Sequence, residues 1–243
     1  MRIMAETGAF YHLFPEARSV ETSVVDARPG MVRLEILPFY PGGGGQLADR
    51  GTLRSQKGVF PIAGMEVVDG AIWVRLADEA VLLDGVLEAA VDTGFRQEMR
   101  ELHTGTHLLN ALVFSAFDGA LVTGAQLGAD GSARLDFDLP GADNDTIRAL
   151  EGPLNDLIVQ DLPVRTHLLS MDEVLAEPGL VRSKSVAPPP GPDGLIRIVE
   201  VVGLDRQACG GTHLSSTGAS RRLRIQKVEN KGRHNRRVRI AFD

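Results

Sequence analysis

The chain has 243 residues, 43% hydrophobic and 24% charged, the balance of an ordinary globular protein rather than a disordered one. No basic patch precedes an apolar run at the N-terminus and nowhere do about 18 apolar residues run unbroken, which argues against a signal peptide or membrane span and for the cytoplasm. A net charge of −6 argues against a general nucleic-acid binder, and a lone cysteine, Cys209, excludes an intramolecular disulfide and points to metal or thiol chemistry.

Up to Asp92 the signals are short and strand-like. Val32–Leu37, Val59–Val68, Ala71–Leu76 and Val86–Val91 carry β-branched residues between Gly, Pro and Asp punctuation, which predicts a small N-terminal β-barrel or sandwich over residues 1–92. Within it, PGGGGQ (Gly43, Gly44, Gly45 and Gln46 among its residues) lacks the following GK[ST] of a phosphate loop. It reads as a tight barrel turn or a place of close backbone approach to a ligand. From Phe95 the period changes: Met99, Leu102, Thr106, Leu109, Val113 and Ala116 recur at three and four, predicting an amphipathic helix of about six turns that opens a second domain, 93–243. His103, His107, Asn110 and Phe114 fall together at the edge of its apolar stripe, where the helix meets a sheet. Gly105 weakens this helix by about 1 kcal/mol relative to Ala and permits close approach of another backbone.

Beyond it, strands at Leu121–Leu127 and Ala133–Phe137 precede a helix from Asn144 to Gln160. Further strands follow at Val164–Leu169, Leu195–Val202, Leu223–Val228 and Arg237–Ala241. The expected class is α+β, a β-barrel followed by a mostly antiparallel sheet with helices on one side. AEPGLVRSKSVAPPPGPDG reads as a surface loop. From Arg221 to Arg239 nine basic residues face one acid, Glu229, either a solvated strand face or a ridge for phosphates.

His103 and His107 stand four apart on one helical face, and Cys209 and His213 stand four apart in QACGGTHLSS, 102 residues after His107. One thiolate and three imidazoles suit Zn²⁺ in tetrahedral geometry, with Gly210 and Gly211 letting the loop bend around the ion. The alternative is a free buried thiol beside unrelated histidines, and four protein ligands also fit a purely structural zinc.

HTGTHLL followed by CGGTH resembles the signature of the editing domain of alanyl-tRNA synthetase and of its free-standing relatives, the AlaX-type trans-editing proteins. FYPGGGGQLADRG, VTGAQLGADGSARLDFD and GLDRQACGGTHLSSTG resemble further segments of the longer AlaX forms, so the likeness covers nearly the whole chain. Related zinc frames occur in threonyl-tRNA synthetase; the glycine-rich motif and CGGTH favour alanine. Gly105 and Gly42 depart from the family pattern without touching a proposed ligand.

The resemblance implies a zinc-binding editing domain that hydrolyses the ester between serine or glycine and alanine tRNA, free-standing because 243 residues leave no room for an aminoacylation domain. It implies zinc ligation by His103, His107, Cys209 and His213, and places the glycine-rich loop near the editing pocket. Gln126 matches a polar pocket residue that binds substrate or water, though it also reads as an ordinary strand glutamine, and Thr123 is a partner for a serine hydroxyl. Arg221, Arg222, Lys231, Arg233 and Arg236 are expected to meet tRNA phosphates. The rival readings are a catalytically silent, zinc-stabilised tRNA-binding module and a zinc hydrolase of small esters.

Overall fold

The computed structural model describes residues 9–177, 179–183, 190–191 and 194–243. The chain forms two compact units, one from residues up to Gly43 with Leu47–Gln97, the other from Gly44–Gln46 with Glu98–Asp243.

In the first unit a short helix, α1 (Phe10–Leu13), precedes β1 (Ser19–Arg28), β2 (Met31–Leu34), β3 (Gly51–Ser55), β4 (Gly58–Val68), β5 (Ala71–Leu76) and β6 (Val86–Val91). These six strands close into an antiparallel barrel in the order β1-β2-β5-β4-β3-β6, which leaves no open sheet edge. The β4–β5 hairpin turns on Asp69-Gly70, both at positive φ (50° and 76°), as a two-residue turn that matches strand twist requires. Val32, Phe39, Leu53, Val74, Leu83 and Leu87 are among the side chains that fill the barrel, each worth about 1.5–3 kcal/mol on burial. β1 and β3 escape a reading by apolar runs because β1 fully buries only Thr22 and β3 only Leu53.

The loop between β2 and β3 is tied at its base. Asp49 accepts from Tyr40 N (2.6 Å) and from Arg96 Nε (3.0 Å), while Arg96 also donates to Pro38 O. The pair is almost fully buried, so each charge depends on the other for its solvation. Gly42, Gly43, Gly44 and Gly45 all take positive φ (92°, 122°, 59° and 89°), a path open to consecutive glycines and to little else.

The chain then enters α2 (Thr93–Ala116), capped by Asp92, whose Oδ1 accepts from Phe95 N at 3.0 Å. The expected amphipathic helix is in fact buried on every side from Met99 to Ala111, polar residues included. Its polar face is turned toward other protein, which requires a hydrogen-bonding partner for each group. The neighbour that Gly105 admits is a side chain rather than a backbone: a Cβ there would lie 2.3 Å from Leu223 Cδ1.

The second unit continues with β7 (Val122–Leu127), β8 (Ser132–Asp138), α3 (Asn144–Arg148), α4 (Glu151–Val159), β9 (Val164–Leu169), α5 (Met171–Ala176), β10 (Ile196–Val201), β11 (Asp205–Ala208), β12 (Leu223–Lys231) and β13 (Asn235–Phe242). The single sheet expected is two antiparallel sheets, one ordered β12-β13-β8-β7 and the other β11-β10-β9. The single helix expected over 144–160 is two, because Pro153 has no N–H to give and its ring would collide with the carbonyl of Ala149. In the proline- and glycine-rich loop expected over 176–194, residues 178, 184–189 and 192–193 lie outside the described residues. Among the described residues no helix is long and apolar enough to cross a membrane.

Candidate metal centre

His103 and His107 project from one face of α2, with ring centroids 5.3 Å apart. Cys209 and His213 come from the loop that leaves β11, and the ligand atoms of all four lie within 4.8 Å of one another. Cys209 Sγ is 3.5 Å from His103 Nε2 and 3.3 Å from His213 Nε2. Such a group can hold a metal ion.

The loop is held from behind. Arg197 on β10 donates from Nη1 to Cys209 O and to Gly211 O, each at 2.9 Å, and Arg100 Nε donates to His213 O at 2.7 Å. Two of the imidazoles are oriented through their second nitrogen. His103 Nδ1 lies 2.8 Å from Gln46 Oε1, which also accepts from Thr212 N (2.9 Å), and Gln46 Nε2 donates to Thr212 Oγ1 (2.8 Å). His213 Nδ1 lies 3.3 Å from Thr104 Oγ1, a hydroxyl that accepts from Leu214 N. In both rings a proton on Nδ1 leaves the Nε2 lone pair facing the thiol, the arrangement ligating histidines use. Gly211 is required here because a Cβ would fall 2.1 Å from His103 Cε1.

Burial first, then the neighbouring His107 and Arg197, holds His103 well below the usual imidazole range. Burial, with Arg197 and Arg182, brings His107 down to about 3. Both are therefore neutral near neutrality, the form that ligates. Burial pushes the Cys209 thiol up, so it parts with its proton only when a cation takes its place.

His103, His107 and Cys209 line a cavity of about 440 Å³, together with Gly44, Gly45, Asn110, Thr123 and Gln207. Gly45 O accepts from Leu127 N at 2.8 Å, and a Cβ on Gly45 would lie 2.6 Å from Ala125 O, so the glycine-rich loop runs against β7. Thr123 faces the cavity and its hydroxyl donates to Asp136 O at 3.2 Å.

Gln126 is not among the residues lining this cavity. It is exposed, pairs across the ladder with Arg134 and accepts from Arg134 Nε at 3.1 Å. Arg236 is 8% exposed and donates to Ala142 O. Arg221 is half-exposed but lies over Phe242 and pairs with Glu101 at 2.8 Å. Arg222, Lys231 and Arg233 are exposed. Sequence reasoning gave no role to Arg100, Thr104, Arg197 or Gln207. Of these only Gln207 left a signal, two residues before Cys209 along a strand.

Residues 196–239 match the family described as the threonyl and alanyl tRNA synthetase second additional domain. The chain is 33% identical over 225 residues to the alanyl-tRNA editing protein AlaX-M of Saccharolobus solfataricus, spanning 91% of this chain and 92% of that protein. It is 34% identical over 241 residues to the AlaX-M protein of Methanosarcina barkeri, spanning 96% and 97% of the two. The alanine–tRNA ligase of Leptospira interrogans is 29% identical over 221 residues, 89% of this chain but 22% of the ligase. Likeness at this level over nearly the full length of both partners places this chain in the family of AlaX-M alanyl-tRNA editing proteins.

Proposed function

We propose that the protein is a deacylase that hydrolyses the ester joining a wrong amino acid, serine or glycine, to the 3′ end of alanine tRNA in the cytoplasm, with zinc held by His103, His107, Cys209 and His213. One observation carries this reading: four ligand atoms converge within 4.8 Å beside a cavity of about 440 Å³, in a chain whose relatives are named alanyl-tRNA editing proteins. A tetrahedron with Zn–S near 2.3 Å and Zn–N near 2.05 Å has S···N edges of about 3.5 Å. The Cys209 Sγ to His103 and His213 Nε2 distances are 3.5 and 3.3 Å, so the donor set fits that ion in both chemistry and spacing.

When bound, zinc supplies a Lewis acid that orients the aminoacyl group or lowers the pKa of a water. Four protein ligands would fill a tetrahedral sphere, so either role would need the ion to accept a fifth donor. The chain's own residues do the rest. Gln46 and Thr104 fix the imidazoles, and Gly44 and Gly45 bring backbone to the cavity wall without side chains in the way. Thr123 commits its proton to Asp136 O and so presents acceptor lone pairs to the substrate. The cavity has the volume of a small-molecule site, suited to the aminoacyl end of the tRNA while the body stays outside.

The test is deacylation of serine-, glycine- and alanine-charged alanine tRNA by the purified protein. Serine release well above alanine release is expected, and equal hydrolysis of the three would overturn the reading. A closed four-ligand set also suits a silent, zinc-stabilised tRNA-binding module, which would bind seryl-tRNA and leave it intact.

A further inference from the structure

Asn110 stands three residues after His107 on α2, on the same helical face, and lines the same cavity. It is 4% exposed. Its Nδ2 donates to Gln207 Oε1 at 2.8 Å, while its Oδ1 has no partner among the described residues. The amide cannot simply turn over. Gln207 Nε2 donates to the carboxylate of Asp205, which pairs with Arg182, so Gln207 is bound to present its oxygen to Asn110. A flipped Asn110 would set two carbonyl oxygens against each other. Asn110 Oδ1 is therefore a buried acceptor of fixed direction, and a buried acceptor left unpaired is disfavoured until something donates to it.

We propose that Asn110 Oδ1 is the acceptor that reads the side-chain hydroxyl of a seryl ester, an inference that rests on the deacylase reading and names the residue setting its specificity. Three donors of a seryl-tRNA end compete for the role. The ribose hydroxyl is tethered to the tRNA body and stays toward the mouth, whereas Asn110 is buried. The α-ammonium meets no carboxylate among the described residues lining the cavity, where the one cation, Arg182, is itself paired with Asp205. The serine hydroxyl is neutral, lies at the end of the amino acid and is free to enter. Alanine, which lacks it, would leave Asn110 Oδ1 unpaired, and a site that loses a hydrogen bond in this way rejects the lesser substrate more strongly than an apolar wall can.

The experiment compares single-turnover deacylation of serine-, glycine- and alanine-charged tRNA, with enzyme in excess so that slow substrates are measurable. The variants are Asn110→Ala and, to keep the acceptor but free its orientation, Gln207→Met, both checked for zinc content. Asn110→Ala is expected to lower the serine rate about 10- to 100-fold more than the glycine or alanine rate, and Gln207→Met to shift the ratio the same way by less. Equal losses on all three substrates, or an unchanged serine-to-glycine ratio, would overturn the assignment while leaving the deacylase reading intact. If Asn110→Ala does not fold, the ratio in Gln207→Met decides in the same terms. A wild-type protein that releases no amino acid from any of the three would instead overturn the deacylase reading and this inference with it.

Discussion

At the scale of single residues, Gln46 does the most with one side chain. Its Oε1 accepts from Thr212 N and faces His103 Nδ1, and its Nε2 donates to Thr212 Oγ1, so it sets both a ligand ring and the ligand loop. Gln46→Ala is expected to weaken metal binding about 10- to 100-fold, as loss of a partner behind a ligating histidine does. Gln46→Glu keeps both acceptor contacts and should stay within a few-fold of wild type. Chelator competition measures both, and an Ala variant with unchanged affinity would remove Gln46 from the centre. The His103/His107 frame was legible because four-residue spacing on a helix is itself a geometry, and the Cys209/His213 frame because the lone cysteine stands four residues from a histidine. The partners behind them were not: Gln46 meets Thr212 across 166 residues, and Arg100 meets His213 across 113, distances at which no local pattern survives.

At the scale of elements, apolar patterning found the strands rich enough in apolar residues to stand out and missed those that are not. β8 alternates intermediate and buried residues throughout and was legible, whereas polar β1 and the four-residue β11 carry too little apolar signal to stand out from loop. Pro153 was the readable but unread sign that the 144–160 helix breaks. Asn155 shows why α4 matters to the sheet. Its Nδ2 donates to Leu223 O (2.7 Å) and its Oδ1 accepts from Leu223 N (3.0 Å), so it stands in for a neighbouring strand at the start of β12. Asn155→Leu leaves both backbone groups buried without partners and should cost about 2–4 kcal/mol of stability. Urea unfolding measures this, and a loss below about 0.5 kcal/mol would contradict the clamp.

At the scale of the whole molecule, the basic tail was legible as charge but not as surface, because sequence does not say which cations the fold consumes. Arg236 donates to Ala142 O, Arg237 pairs with Asp136, and Lys227, Lys231 and Arg239 surround Glu229. Arg222, Arg224 and Arg233 remain exposed. A tRNA lying on this face would bring its phosphates to these three. Replacing them with Ala should lower the salt slope of seryl-tRNA deacylation by roughly 0.7–0.9 for each phosphate no longer neutralised, and leave a small seryl ester unaffected. An unchanged slope would place the tRNA elsewhere.

Whether the four converging ligands make this cavity a metal-dependent site for aminoacyl esters is decided by the rate at which the protein releases serine from charged alanine tRNA, measured as purified, after chelation, and after zinc is restored. Release is expected to fall to the uncatalysed rate on chelation and to return with about one zinc per chain. A stripped protein that keeps its fold and its full rate would contradict metal dependence.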